Sequence, residues 1–155
     1  MNQVEMNKEA KLSAHFTLGE LTRSKSHPEI YNIPSRQVIE NLKRVCVWLE
    51  ALRERYNQRY GDGDDPIIIT SGYRSAELNR KVGGVATSNH LTGCAVDIRV
   101  AGKEQLIRYA CILLDYADET KQEFDELLLE HGSNGVIWLH FAVRPQGNRR
   151  KIGFL

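Results

Sequence analysis

Two histidines and one aspartate lie in apolar stretches of this sequence, and together they could bind a metal ion. His90 lies in the segment Ser88–Gly93, Asp97 lies in the middle of the strand predicted to follow, and His140 lies on a later predicted strand. A carboxylate within an apolar strand is costly unless it is paired or binds a cation. Two imidazoles and one carboxylate, with a fourth position open to water, are the ligand set of a catalytic zinc centre.

The same three residues also have structural interpretations. A histidine on a strand is commonly a hydrogen-bonded residue of the core or the sheet edge. Asp97 could be a surface residue, or it could form an ion pair with Arg74 or Arg99. Spacing alone does not bring His140 next to His90, so the residue types leave both interpretations open.

The composition is typical of one soluble globular domain. The chain has 155 residues, with 41% hydrophobic and 26% charged residues and a net charge of +1. This balance provides no bulk attraction to nucleic acid or to a membrane surface, so we expect neither as a partner. The three cysteines form no C-x-x-C pair, which argues against a disulfide framework and a thiolate zinc site.

The N-terminus lacks the basic and apolar regions of a secretory signal peptide, and no apolar run reaches the roughly 20 residues of a membrane span. We therefore expect the protein to be made in the cytoplasm. If it acts outside the cell, another protein must release it.

Hydrophobic periodicity predicts a single α+β domain in which a small, largely antiparallel sheet packs with helices. Thr17 and Glu20 have the spacing of a capping box for a short helix. The chain divides into a flexible or weakly helical lead-in (1–14), the main domain (15–145) and a basic, solvated C-terminal tail (146–155). The remaining predicted elements are helices at 35–60, 75–82 and 104–116, and strands at 67–70, 94–100, 124–130 and 136–143.

His90, Asp97 and His140 lie in two of three short motifs that occur in this sequence. Residues 88–97 match S-x-H-x-x-G-x-A-x-D, residues 71–75 read S-G-Y-R-S, and residues 138–140 read W-L-H. With them, the sequence resembles the zinc D-Ala-D-Ala carboxypeptidase family, which shares its fold with the hedgehog signalling domain. Residues 15–24 also look like the N-terminal segment of the short branch associated with phages and prophages.

The resemblance implies a ligand set and one catalytic arginine. His90, Asp97 and His140 would bind Zn²⁺, which activates water and polarises the scissile carbonyl. Arg74 would stabilise the developing oxyanion or hold a substrate carboxylate. Its alternative role is a structural ion pair with Asp97 or Glu77.

The substrate implied by the resemblance is a stem peptide of peptidoglycan, cut at D-Ala-D-Ala or at a neighbouring bond. Ser88 and Trp138 are the candidate substrate-binding residues, although Trp138 could instead be a core residue. Such a protein would be a cell-wall hydrolase, an endolysin in a phage. Whether it acts as a carboxypeptidase or an endopeptidase stays open.

The sequence departs from the family at the general base. Many relatives carry Glu or Asp three residues before the last histidine, where this chain has Ile137. We expect Glu130 to replace it, because a hairpin could place Glu130 opposite Ile137, with Asp125 and Glu126 as weaker candidates. Loss of the base keeps an alternative function open, that of a catalytically weak or inactive zinc-bearing module that binds the cell wall.

Overall fold

The computed structural model describes residues 6–24 and 26–155, and within them it forms an α+β fold, as predicted. Residues 1–5 of the expected lead-in, and Lys25, lie outside the described residues. The helices and strands in chain order are α1 (Arg36–Arg59), β1 (Ile69–Ser71), α2 (Ala76–Lys81), a 3₁₀ helix (Asn89–Thr92), β2 (Ala95–Arg99), α3 (Lys103–Thr120), β3 (Glu126–His131), β4 (Ile137–Ala142) and β5 (Lys151–Phe154).

The five strands form one sheet in the order β1-β2-β4-β3-β5. The pairs β1/β2, β2/β4 and β4/β3 are antiparallel, which confirms the largely antiparallel sheet. Strand β5, which no pattern in the sequence predicts, pairs in parallel with β3. The four residues of β5 have little alternation of their own and are ordered by backbone pairing with β3. Lys151, Ile152 and Phe154 stay exposed, so the C-terminal segment is largely solvated although its backbone is paired with the sheet.

The two long helices cover one face of the sheet. Ser35 caps α1, since its side chain accepts a hydrogen bond from the amide of Val38. Apolar residues recur along α1 and α3 at helical spacing, and these faces pack together and against the sheet. The inward side chains of the sheet alternate with outward ones, so the opposite face is left for polar residues. The inward set includes Val96, Ile98, Leu127, Leu139 and Phe141.

The capping box near the N-terminus forms, but the helix expected there does not. The amide of Thr17 donates to Glu20 and the amide of Glu20 donates back to Thr17, at 3.2 and 3.3 Å. Residues 18–22 nevertheless form turns. The amide of Leu18 donates to the carbonyl of Ala10 at 2.8 Å, so this segment is paired with the preceding chain.

The described part of the lead-in, residues 6–14, is turn-like and contains an isolated bridge between Lys11 and Thr17. Met6, Ala10 and Leu12 pack against the core. These contacts tie the segment to the main domain, although the sequence shows no apolar stripe there.

None of the helices in the described ranges combines the length and the apolar character needed to cross a membrane.

Candidate metal centre

Adjacent strands and one short helix bring the three predicted ligands together. In the β2/β4 pair, Asp97 lies directly opposite His140. The 3₁₀ helix before β2 supplies His90. Gly93 ends this helix with φ at +74°, where a Cβ would also lie 2.7 Å from a methyl group of Val38, so glycine permits the turn into β2.

The potential ligand atoms of His90, Asp97 and His140 all lie within 4.8 Å of one another. Oδ1 of Asp97 lies 3.1 Å from Nδ1 of His140 and 3.4 Å from Nε2 of His90. The two imidazoles are buried, with 2% and 8% of their residue surface exposed. The structure therefore brings together the three residues on which the metal prediction depends.

In His90 and His140, the ring nitrogen that points away from Asp97 contacts a group that can only accept a hydrogen bond. Nδ1 of His90 lies 2.7 Å from the carbonyl oxygen of Gly72, and Nε2 of His140 lies 3.0 Å from a carboxylate oxygen of Glu126. These nitrogens must carry hydrogen, which leaves Nε2 of His90 and Nδ1 of His140 facing Asp97. Two such imidazoles and a carboxylate fit the preferences of Zn²⁺.

The charges within the cluster depend on one another. Burial by itself would raise the pKa of the Asp97 carboxyl, but the charge on His90 and hydrogen bonds from both histidines hold it well below its usual range. Burial by itself would lower the pKa of His140, but hydrogen bonds with Asp97 and Glu126 raise it to about 9. The cluster therefore favours an anionic Asp97 with positive charge close to it, the arrangement that a divalent cation can also satisfy.

Arg74 lies close to Asp97 of the cluster, and both residues line one cavity. Its side chain donates to Oγ of Ser88 at 3.3 Å, and its buried Nε has no hydrogen-bond partner among the described residues. Burial lowers the pKa of Arg74, although the carboxylates of Asp97 and Glu130 act in the opposite direction. Within residues 6–24 and 26–155 it forms no ion pair, so the alternative pairing with Asp97 or Glu77 does not occur.

A cavity of about 250 Å³ opens beside Arg74 and Asp97. Arg74 and Asp97 therefore share one accessible space. Its other lining residues are Arg23, Ser24, Ser26, Thr70, Ser71, Leu78 and Val82.

The other two expected substrate-binding residues have different surroundings. Oγ of Ser88 accepts the amide of His90 at 3.1 Å, so Ser88 caps the 3₁₀ helix as well as contacting Arg74. Trp138 is half-buried and lines a second cavity of about 160 Å³ that also reaches Asp97. Its indole N–H donates to Glu130 at 2.7 Å. Trp138 therefore lies at the edge of the site instead of inside the core.

The register of the β3/β4 hairpin corrects the expected position of Glu130. Glu130 lies opposite Trp138, and His131 is the residue opposite Ile137. Leu128 is the residue opposite His140. Glu130 lies two residues after Leu128, so its side chain projects from the same face of the sheet, because side chains alternate along a strand. His131 is exposed and contacts the carbonyl of Leu155 through Nδ1 at 2.6 Å.

The two weaker base candidates are already bound to other side chains. Asp125 is fully buried and accepts two side-chain hydrogen bonds and one backbone hydrogen bond from Arg149. Burial opposes its ionisation, but these bonds and one from Asn89 lower its pKa to about 2. Glu126 contacts His140.

Sequence reasoning missed Asn89 and Arg149 as contributors to the site. The side-chain amide of Asn89 donates to both Asp125 and Glu126, at 2.8 and 2.6 Å. Asn89 occupies a variable position of the first motif, and Arg149 lies in the segment expected to be solvated. No local signal indicates either contact, because both depend on the register of β3 and on the return of the C-terminus.

Sequence similarity to known proteins covers part of this site. The sequence model of the family described as Peptidase M15 matches residues 14–123, which include His90 and Asp97 and end before His140. The zinc D-Ala-D-Ala carboxypeptidase of Streptomyces albus G is 33% identical over 85 residues, covering 54% of this chain. The alignment spans 31% of the length of that curated relative. The family and this relative imply zinc as the cofactor.

Proposed function

The chain belongs to the peptidase M15 family, and from that premise we propose that it is a zinc-dependent peptidase that hydrolyses the stem peptides of peptidoglycan. The observation that carries the proposal is the clustering of His90, Asp97 and His140, whose ligand atoms lie within 4.8 Å of one another. Asp97 of this cluster also lines a cavity together with Arg74. The resemblance to a D-Ala-D-Ala carboxypeptidase supports the proposal that the hydrolysed bond involves a D-residue.

Three side chains would hold the metal, through Nε2 of His90, a carboxylate oxygen of Asp97 and Nδ1 of His140. Zinc bound there would act as a Lewis acid toward the scissile carbonyl and make water nucleophilic near neutral pH. The surrounding fold contributes by fixing these donors, since the outer nitrogens of both histidines are held by hydrogen bonds. A fixed donor set needs little rearrangement when the metal binds.

Arg74 would supply positive charge on the substrate side of the cluster. Its Nε has no partner among the described residues, and a guanidinium presents several N–H donors in one plane. A carbonyl oxygen that gains negative charge, or a substrate carboxylate, would satisfy these donors. Because the group is partly buried, its interaction with an anion is stronger than it would be in open water.

Glu130 is the general base in this proposal. Of the three acidic candidates on this segment, Asp125 and Glu126 are engaged by Arg149 and His140. The contact that Glu130 makes is with the indole N–H of Trp138, beside the cavity that also reaches Asp97. From there its carboxylate would accept a proton from water and pass it to the leaving amine.

The base assignment is tested by Glu130→Gln. We expect turnover to fall by about 10²–10⁴-fold while zinc content stays the same, because the amide keeps the shape but cannot take the proton. Glu123→Gln is the matched control, since Glu123 is exposed on the same segment and its loss changes the net charge equally. Unchanged turnover in Glu130→Gln would remove Glu130 from this role.

The activity itself is tested with purified zinc-loaded protein and muropeptides. We expect one zinc per chain and new fragments identified by mass spectrometry. Substrates that end in D-Ala-D-Ala, compared with cross-linked ones, distinguish a carboxypeptidase from an endopeptidase. Intact muropeptides after incubation would contradict the enzymatic proposal. The proposal also includes action as a cell-wall hydrolase of a phage or prophage. Lysis of purified cell walls tests the cell-wall hydrolase action.

A second candidate function is a zinc-bearing module that binds the cell wall without cutting it. Ile137 favours this candidate, because it stands where many relatives carry an acidic residue. Retention of muropeptides without product, together with a lower melting temperature after zinc removal, would support the module over the peptidase.

A further inference from the structure

Glu126 makes a close side-chain contact with the candidate metal cluster. One of its carboxylate oxygens lies 3.0 Å from Nε2 of His140, on the side of the ring away from Asp97. The two side chains are buried to a similar extent, with 14% and 10% exposed. A contact of this length between an imidazole N–H and a carboxylate is a charge-assisted hydrogen bond.

The carboxylate of Glu126 is itself held in place. The side-chain amide of Asn89 donates to the same oxygen at 2.6 Å, and the guanidinium of Arg149 lies 3.5 Å from the other oxygen. Asn89 is fixed in turn, since its own oxygen accepts a hydrogen bond from Arg144 at 2.8 Å. The position of Glu126 is therefore set by side chains outside the cluster.

Asp125 keeps Arg149 in place behind Glu126. Arg149 donates through Nε and Nη2 to both oxygens of Asp125, at 3.0 and 2.8 Å. Asp125 accepts both of these hydrogen bonds from Arg149. One carboxylate oxygen of Glu126 therefore stays directed at His140. Its alignment with the ring therefore depends on the C-terminal segment that carries Arg149.

The geometry points to Glu126 as a positioning residue that holds Nε2–H of His140 and so directs Nδ1 of that ring toward the metal. This inference rests on the proposed function only in requiring that zinc binds at His90, Asp97 and His140. A carboxylate on the outer nitrogen of a metal-bound histidine fixes the rotation of the ring and its tautomer, and makes the ring a stronger donor. Glu126 thus acts through His140, whereas Glu130 is proposed to act on water.

The test measures zinc affinity by competition with a chromophoric chelator at fixed pH and ionic strength. We expect Glu126→Ala to weaken zinc binding by about 10–100-fold, the usual cost of removing such a partner. Glu126→Gln keeps an acceptor of the same length, so its loss is smaller than that of Glu126→Ala. Glu123→Gln removes the same charge from an exposed position, and its zinc affinity stays within twofold of the wild type.

Nuclear magnetic resonance of the zinc-loaded protein gives the chemical shift of the Nε2–H proton of His140, which a general loss of stability would not move. In the wild type, the Nε2–H proton of His140 is hydrogen-bonded and exchanges slowly with water. In Glu126→Gln the resonance shifts upfield and exchanges faster. An unchanged resonance in that variant would overturn the inference, even if Glu126→Ala fails to fold.

The affinity results separate this inference from the proposed function. A wild-type protein that binds no zinc overturns both. A wild-type protein that binds zinc, with Glu126→Ala within twofold of it, overturns only the positioning role. Equal weakening in Glu123→Gln and Glu126→Ala overturns it as well, because the effect would then come from net charge alone.

Discussion

The carbonyl oxygen of Gly72 lies 2.7 Å from Nδ1 of His90, and this hydrogen bond connects the S-G-Y-R-S segment to the candidate metal centre. Because a carbonyl can only accept, the bond leaves Nε2 of His90 facing Asp97. Glycine is needed at position 72 for a steric reason. A Cβ there would clash with the carbonyl oxygen of Leu21, which also accepts a hydrogen bond from the amide of Tyr73 at 2.8 Å.

We therefore expect Gly72→Ala to lower the free energy of unfolding by about 1–3 kcal/mol, since the backbone must shift to relieve the contact. Zinc affinity falls with it, because the acceptor for His90 moves. Urea unfolding and chelator competition measure the two effects. Gly102→Ala is the control, since a Cβ there has no neighbour within 4 Å. Equal unfolding midpoints for the two variants would contradict this account of Gly72.

Removal of zinc should lower the melting temperature. A ligand that binds only the folded state stabilises it, by about 2.7 kcal/mol when its free concentration is 100 times its Kd. For a domain of this size that corresponds to a shift of roughly 5–10 °C, measured by calorimetry with and without chelator. We expect His140→Ala to abolish the shift and His27→Ala, outside the cluster, to retain it. If the melting temperature of the wild type is the same with and without chelator, the result argues against the metal centre.

Arg74→Ala should reduce kcat/KM by about 10²–10³-fold, the usual cost of losing one donor to a developing oxyanion. Arg74→Lys should recover only part of this loss, because an ammonium lacks the planar fork of donors. The measurement is steady-state kinetics on two matched substrates, one ending in a carboxylate and the other in an amide. A loss confined to the carboxylate substrate assigns Arg74 to substrate binding. Arg80→Ala, exposed on α2, is the control, and a twofold effect or less in Arg74→Ala would refute its role.

Asp125 should make stability depend on acid pH. Its pKa is lowered from 3.8 to about 2, so its contribution is complete above pH 3.8 and is lost as the pH falls through 2. This shift corresponds to about 2 kcal/mol. We expect Asp125→Asn to be less stable at pH 7 and to lose less stability between pH 4 and 2, as measured by urea unfolding. Parallel pH profiles for the variant and the wild type would show that Asp125 does not carry this dependence.

The part of the fold that follows local rules was predictable. The capping serine and the 3–4 spacing of apolar residues predicted α1, and the observed helix begins one residue after Ser35 and ends at Arg59. Alternation predicted that Asp97 would lie on the opposite face of β2 from Val96 and Ile98, which the burial pattern confirms. These features depend on residues close together in the chain, so a sequence pattern contains them.

Features that depend on pairing between distant segments were harder to predict. The β3/β4 register placed Glu130 opposite Trp138 and not opposite Ile137. Strand β5 and the ion pair of Arg149 with Asp125 arise from the return of the C-terminus to the sheet. The capping box at Thr17 formed without a helix, because backbone pairing with residues 8–10 took its place.

The sequence by itself determined the donor types and their order, since His90, Asp97 and His140 lie in motifs that can be read without a structure. Only the tertiary structure decided how these donors face one another and which groups hold them. His140 meets Asp97 through strand pairing across 43 residues of sequence, and it meets Glu126 through the neighbouring strand. Hydrogen bonds to Gly72 and Glu126 then select which nitrogen of each ring points inward. Such contacts arise from backbone register and packing, which bring together residues whose local sequences contain no information about each other.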